Sequence, residues 1–357
     1  MRSSQKTKKS KSIVRTFAIA IGIVGIIVAF YFGLRLYGEV YKNNVSLDSK
    51  NSVYIYIKTG SNFDDVMLLL EDSGYLKDFD SFKRYANSRN YYKKIRPGRY
   101  KLVDGMSNHK IMNMLQSGTQ EPVKVYINNI RTKEKLAAVL SRQLEPDSLK
   151  IILLLNSDSV AQSLNLTPET IISIFIPNTY EFYWNVSADD VVKRMKTEYD
   201  SFWEKKNRQQ KADSLGLSRE EIITIASIVD EETNYSPEMA TIAGVYLNRV
   251  KRGMPLQADP TVKFAIGDPS IRRILNRHLT FDSPYNTYKY KGLPPGPIAI
   301  PSIEAIDAVL NYEKTPYIYF CAKSDFSGAH TFAITQNEHL KNAREYQAAL
   351  NKRNIKK

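Results

Sequence analysis

The sequence predicts an α+β protein in three parts: a single N-terminal transmembrane helix, a small α/β module and a larger mixed α+β domain. Three observations predict it. One uncharged run near the amino terminus matches the thickness of a bilayer's hydrocarbon layer, residues 51–120 alternate strand and helix signals, and the remainder turns helical between rigid Pro/Gly loops. A length of 357 residues with 43% hydrophobic and 25% charged side chains fits about two folded domains, and it excludes a disordered chain, a collagen and a bundle of membrane helices.

The net charge of +14 suggests nucleic acid until it is located on the chain. Six basic side chains in residues 1–15 and four in residues 352–357, with no acid in either segment, account for ten of those charges. The basicity belongs to the tails, and no nucleic-acid partner is expected. The six cations Arg2, Lys6, Lys8, Lys9, Lys11 and Arg15 form a cytoplasmic basic tail (1–15) that runs directly into the uncharged stretch 16–34, the body of a membrane span over 16–36. A cleaved signal peptide is the rival reading, but the apolar run exceeds the usual 7–15 residues and Arg35-Leu36-Tyr37 follows it instead of a small-X-small cleavage site. The positive-inside rule then places everything after residue 40 outside that membrane.

Residues 37–50 are polar and aperiodic, and are expected to be a juxtamembrane linker. In the module at 51–120, the β-branched and aromatic run 53–57 predicts a strand broken at Thr59-Gly60-Ser61. Phe63, Val66, Met67 and Leu70 then recur at helical spacing, and a second helix is expected over 79–87. Pro97-Gly98 turns the chain into a strand at 100–103, and Ser107 caps a helix carrying Ile111, Met112 and Leu115 that stops at Gly118.

The larger domain, 121–357, opens with a strand at 123–127 and helices around Ala137-Leu140 and Leu153-Leu155. The aromatic-rich stretch 175–184, around Pro177-Asn178, fits core packing, although aromatic faces are also what sugar rings stack on. Ser218 and Glu221 form a capping box that starts a helix whose apolar stripe is Ile222, Ile225, Ile228 and Val229. At 100° per residue from Ile225 these four lie between about −60° and +60°, and Glu232 falls at about −20°. Asp230, near 140°, and Glu231, near 240°, do not share that face, and Glu231 is expected to meet solvent. A carboxyl on the apolar side loses hydration of its charged form, so Glu232 should hold a proton near neutral pH, as a general acid must. The alternative is a helix end that has turned out of the core.

Ser236-Pro237 restarts a helix with stripe Ile242, Val245, Tyr246 and Val250, ended by Gly253. Residues 255–261 read as a polar turn, 283–288 and 292–298 as Pro/Gly-rich loops, and 317–321 as a strand. The lone Cys321 excludes an internal disulfide and a Cys-rich zinc site, and His109, His278, His330 and His339 have no metal-ligand spacing. Neither metal nor cofactor is expected.

Six strings in this order, ASIVDEET (226–233), AGVYLNR (243–249), GMPLQADPTV (253–262), SPYNTY (283–288), GLPPGPI (292–298) and HTF (330–332), resemble the endolytic murein transglycosylases of the MltG/YceG family. The resemblance covers about residues 50–350 and is densest over 175–335. The strand-helix-helix-strand order at 51–120 is similar to a LysM-like carbohydrate-binding module. The sequence departs from the family pattern at Asp230, at Asn178 within Pro177-Asn178-Thr179-Tyr180, and at Asn128-Asn129. The resemblance implies that Glu232, directly before Thr233, is the catalytic acid/base, the residue the helical wheel also selects. It implies an endolytic lytic transglycosylase that cleaves the MurNAc–GlcNAc bond within peptidoglycan glycan strands, leaves 1,6-anhydro-MurNAc ends, and terminates nascent strand elongation. Gln257, Asp259, Tyr285, Asn286 and His330 are the candidates for binding the glycan; each could instead be a buried polar residue tying loops together. The implied location is the bacterial inner membrane with the catalytic domain on its extracytoplasmic side, and cell-wall synthesis proteins are the further partners implied. Two rivals stand beside this reading: a hydrolytic muramidase using Asp259 as second carboxylate, and a non-catalytic wall-binding scaffold.

A reporter fused after Lys50 is expected to be extracytoplasmic and one fused at the amino terminus cytoplasmic. A mature protein that begins after residue 40 by amino-terminal sequencing contradicts the anchor.

Overall fold

A computed structural model of the chain describes residues 3–353 apart from 49, 269 and 272; Arg2 and residues 354–357, parts of the two basic ends, lie outside the described residues. It is a mixed α and β fold with one long apolar helix at its amino-terminal end. Helix α1 (Ser3–Tyr41) contains the stretch Arg15–Tyr41, whose 27 residues are long and apolar enough to cross a bilayer. The chain divides into two compact units, Met1–Pro122 with Tyr183–Asn185, and Val123–Phe182 with Val186–Lys357.

Residues 37–50 are not the aperiodic linker expected from their polarity. Helix α1 runs on to Tyr41, Asn43 and Val45 bridge to Ser107 and Leu76, and Val45 and Leu47 are buried. The reason is Asn44, whose buried amide makes three hydrogen bonds: Nδ2 donates to the Asp78 carbonyl (2.9 Å) and to Asn108 Oδ1 (2.7 Å), and Oδ1 accepts from the Asp78 N–H (2.7 Å). A buried amide satisfied in this way fixes the backbone around it. Beyond it come β1 (Ser52–Ile57), α2 (Phe63–Ser73), α3 (Phe79–Ser88), β2 (Gly98–Val103) and α4 (Asn108–Ser117). Strands β1 and β2 pair antiparallel with Val53 opposite Leu102 and Ile55 opposite Tyr100. Asn62 starts α2 through a capping box, Ser107 caps α4, and Ile55, Leu70, Phe82, Leu102, Ile111 and Leu115 fill the core.

The second unit begins with β3 (Val123–Ile127), followed by α5 (Lys133–Ser141), α6 (Ser148–Leu155), α7 (Asp158–Ser163) and β4 (Asn178–Phe182), which returns antiparallel to β3. The aromatic stretch is core as far as Phe182: Phe175, Tyr180 and Phe182 are buried, the Tyr180 hydroxyl donates to the Ile176 carbonyl at 2.7 Å, and Tyr183 is exposed. Then follow α8 (Ala188–Glu204), α9 (Arg208–Leu215), α10 (Arg219–Glu232), α11 (Met239–Lys251), α12 (Asp259–Ile266), α13 (Asn276–Leu279) and α14 (Ile303–Leu310). The hairpin β5 (Tyr319–Ala322) and β6 (His330–Ala333) leads into α15 (Gln336–Lys352). Asp259 opens α12, so the polar turn expected over 255–261 is a loop only as far as Ala258.

Helix α10 is the centre of this unit, packed by α11, α12 and α14. Its buried residues are not a stripe but a complete sleeve from Ile222 to Val229, because neighbours cover every side. The polar members are satisfied within it. Thr224 Oγ1 donates to the Glu220 carbonyl (2.7 Å), and Ser227 Oγ donates to the Thr224 carbonyl (2.8 Å) while accepting from the Ile298 N–H (3.0 Å), which pins the 292–298 loop to the helix. Helix α11 approaches just as closely. A β-carbon on Gly244 would stand 2.5 Å from the Glu313 carbonyl oxygen, in a segment tied to α11 by the Glu313 N–H to Ala240 carbonyl bond of 3.0 Å.

Gly244→Ala therefore tests this contact. Alanine is intrinsically the better helix former by about 1 kcal/mol, yet the clash is with backbone, so a net loss of about 1–3 kcal/mol in denaturant unfolding is expected. An unchanged or raised midpoint would show that the contact is slack.

Candidate active site

Three consecutive carboxylates end α10, and each goes to a different neighbour. Asp230 accepts from the Ser302 N–H (3.1 Å) and hydroxyl (2.5 Å), anchoring the start of α14. Glu231 pairs with Arg131 at 2.5 Å; it does not simply face solvent as the helical wheel suggested, because the segment before α5 lies across it. Glu232 turns the third way, into a cleft of about 470 Å³.

There Glu232 Oε1 accepts a 2.7 Å hydrogen bond from the hydroxyl of Tyr246, a fully buried side chain on α11 packed edge-on against Phe320. Two effects oppose each other at this carboxyl. Burial disfavours its charge, and the Tyr246 hydrogen bond favours it; burial prevails, and with the Asp259 charge acting in the same direction the pKa is pushed up to about 7. Arg249, one turn beyond Tyr246, opposes that rise. Burial and the Glu232 carboxylate hold Tyr246 protonated, so it remains a donor throughout the working pH range. Arg249 is itself buried, donating through Nε to the Ile318 carbonyl (2.7 Å) and through Nη1 to the Leu256 carbonyl (2.6 Å).

The sequence-selected residues divide on this geometry. Gln257 and Asp259 line the cleft with Glu232, and Asp259 Oδ1 accepts from the Tyr288 hydroxyl at 2.6 Å. Gln257 sits at φ +50°, held there as its N–H donates to the Thr287 carbonyl at 3.1 Å. Asn286 is not placed to touch a ligand. It is fully buried, its amide donates to the carbonyls of Leu279 (3.0 Å) and Phe281 (2.7 Å) and accepts from the Tyr288 N–H (3.0 Å), so it shapes the loop that presents Tyr288. Tyr285 packs its ring on Phe264, 4.8 Å between centroids, and does not line the Glu232 cleft. His330 stands one layer back: its N–H donates to Glu238 Oε2 (2.8 Å) and its Nδ1 lies 2.7 Å from Glu238 Oε1, which also accepts from Thr233 Oγ1 at 2.6 Å. This network braces the residue directly after Glu232.

Sequence reasoning passed over Tyr246, Arg249, Tyr288, Gln336 and His339, all of which line the cleft. A signal existed for the first two: Tyr246 and Arg249 are three apart on one helix, so a phenol and a cation share a face with an otherwise aliphatic stripe. Among the described residues no three His, Cys, Asp or Glu side chains converge as metal ligands.

One carboxylic acid poised near neutrality, with a fixed phenol donor on one oxygen and an open, aromatic-walled cleft before it, has the features that acid–base chemistry requires. The chain belongs to the YceG-like family, whose pattern matches residues 55–345. It is 30% identical over 337 residues to an endolytic murein transglycosylase of Bacillus subtilis, covering 90% of this chain and 92% of that one. It is 27% identical over 369 residues to an endolytic murein transglycosylase of Streptococcus pneumoniae, covering 94% of this chain and 65% of that relative. The crystal structure of a YceG-like protein from Listeria monocytogenes superposes with a TM-score of 0.54 at 28% identity, over 82% of this chain and 99% of that one.

The raised Glu232 pKa carries a stability signature. Between the ordinary value of 4.5 and about 7, the folded state keeps a proton that the unfolded state releases, so folding stability attributable to this group falls as pH rises through that window. Glu232→Gln has no such proton. The variant is expected to gain thermal stability over the wild type progressively from pH 4.5 to pH 7, with a constant difference above; parallel stability profiles across that window would show that Glu232 is not shifted.

Proposed function

We propose that the protein is a peptidoglycan lytic transglycosylase that cleaves the MurNAc–GlcNAc bond inside glycan strands, with Glu232 as its single general acid/base. The observation that carries this reading is the Glu232 carboxyl, held near neutrality by burial with Tyr246 on one oxygen, in a chain whose relatives are named endolytic murein transglycosylases. Tyr246 occupies Oε1 and leaves Oε2 to carry the proton. Protonation of the glycosidic oxygen by Glu232 releases the GlcNAc 4-hydroxyl as the C1–O bond breaks. The substrate's own acetamido group stabilises the cationic muramyl centre, and the ionised Glu232 then takes the proton of the muramyl 6-hydroxyl as O6 bonds to C1. The proton count closes without water, and the 1,6-anhydro ring is the product.

The hydrolytic alternative has an observation in its favour. Asp259 lines the same cleft, exposed where Glu232 is set deep, and two carboxylates in unlike environments are the arrangement a glycosidase uses to separate acid from base. On the proposed route Asp259 instead orients substrate together with Tyr288. The remaining parts of the reading are that the basic head stays cytoplasmic with α1 in the inner membrane, that the β1-α2-α3-β2 unit is a LysM-like wall-binding module, and that cleavage ends nascent strands beside wall-synthesis proteins.

Mass spectrometry of fragments released from purified peptidoglycan decides between the routes. Anhydro-muramyl ends, lighter by one water than muramidase products, are expected. Glu232→Gln should lower turnover by about 10²–10⁴-fold, and Asp259→Asn by less than about tenfold, chiefly through KM. Reducing-end muramic acid together with loss of turnover in Asp259→Asn would establish the hydrolase.

A further inference from the structure

A second cavity, of about 450 Å³, adjoins the catalytic cleft within the same unit. The two are lined by consecutive residues of the chain at two places. Glu231 lines the second cavity and Glu232 the first, and Pro260 lines the second and Asp259 the first, so at two separate places consecutive residues, with α-carbons about 3.8 Å apart, face opposite chambers. A substrate whose scissile bond sits at Glu232 has to pass a branch on that same sugar toward one side or the other.

The lining of this cavity is of mixed charge over an apolar floor. Phe264 and Pro260 provide the floor. Lys133, half-buried, donates to the Leu155 carbonyl (2.9 Å) and Asn156 Oδ1 (2.8 Å), which leaves one of its three donors unused. Arg131 spends one donor on Glu231 and has others to offer. Lys263, also half-buried, makes no ion pair among the described residues. The same lining carries three carboxylates: Glu134, Glu231, which is paired with Arg131, and Asp268, whose carboxylate is engaged by the Ser270 N–H at 2.8 Å. Cations with spare donors and carboxylates in one lining suit neither a neutral sugar nor a simple anion. They suit a short peptide that carries both carboxylates and an ammonium group.

We propose that this cavity binds the stem peptide borne by the muramyl residue whose bond is cut, with Lys263, Lys133 and Arg131 taking its carboxylates and Asp268 its amine. The proposal rests on the peptidoglycan reading above and makes it narrower: the enzyme selects peptide-bearing over denuded strands. The lactyl arm that carries the peptide leaves the same sugar ring that Glu232 acts on, and an extended peptide gains roughly 3.3–3.6 Å per residue. Its first two or three residues therefore span more than the single-residue step that separates the linings of the two chambers.

The test compares intact glycan strands with strands stripped of peptides by an amidase, using the full-length protein and its Lys263→Ala and Lys263→Glu variants. The wild type is expected to show a kcat/KM about five- to tenfold higher on peptide-bearing strands, mainly through KM. Both variants should erase most of that preference, Lys263→Glu more completely, while unchanged thermal melting shows that they remain folded. A second arm titrates the free stem pentapeptide into Glu232→Gln protein and reads binding by NMR; it is expected to bind, and Lys263→Glu introduced alongside should abolish the shifts. No wild-type preference for peptide-bearing strands, or a preference that survives in both variants, overturns the proposal and leaves the transglycosylase reading standing. Absence of cleavage on either substrate sinks the transglycosylase reading, and the pentapeptide titration then decides the cavity's ligand by itself.

Discussion

The 100° step between successive residues of a helix is the constraint on which this site depends. It sends Asp230, Glu231 and Glu232 to three different neighbours, so the end of α10 becomes a junction at which α14, the segment before α5 and α11 are all fastened to one another through carboxylates. Asp230 has two donors on its oxygens and Glu231 has a guanidinium. Glu232 alone is given a single neutral phenol. Burial raises the pKa of Glu232, and this unequal provision leaves that rise uncompensated: all three carboxylates sit at one helix end, and only Glu232 lacks a strong partner for its charge.

Two tyrosines repeat the same device on opposite sides of the cleft. Tyr246 donates to Glu232 and Tyr288 to Asp259, at 2.7 and 2.6 Å, but the first pair is set deep between α10 and α11, and the second is more open, with Asp259 on the first turn of α12 and Tyr288 on a loop. One carboxyl can therefore keep a proton near neutrality while the other stays hydrated. The loops that carry the second pair are held by buried groups that never reach the cleft. Thr287 accepts the Ala258 N–H at 3.0 Å and meets Thr261 at 2.8 Å, and Asn286 ties its own loop at three points. The rigid Pro/Gly strings of the sequence are thus a scaffold around a small number of exposed polar groups.

What was legible in the sequence follows from local rules. The capping box at Ser218, the αL glycine after α4 and the apolar periodicities each depend on residues within one or two turns, and their elements formed where the pattern placed them. Glu232 was legible for the same reason, since its position on the wheel needs only its own helix. Residues 37–50 misled because Asn44 looks like a linker residue until Asp78 and Asn108, far along the chain, satisfy it. Asn286 misled in the same way, a polar residue in an apparently exposed loop whose partners are backbone carbonyls. Arg249, Gln336 and His339 were invisible as a group because they lie on α11 and α15, far apart in the chain with the β5–β6 hairpin between them.

Arg249 joins two of these levels. Its guanidinium clamps the Ile318 and Leu256 carbonyls, from the two segments that bring Tyr319 and Gln257 to the cleft, and the same charge restrains the pKa of Glu232. The fastener and the electrostatic governor are one side chain. An evolving lineage that needed a more or less acidic carboxyl at Glu232 could not obtain it by altering Arg249 without unstitching the mouth of the cleft. Adaptation to a different wall chemistry or ambient acidity is therefore channelled to the open flank, where Asp259 and Tyr288 can vary while the stitching holds.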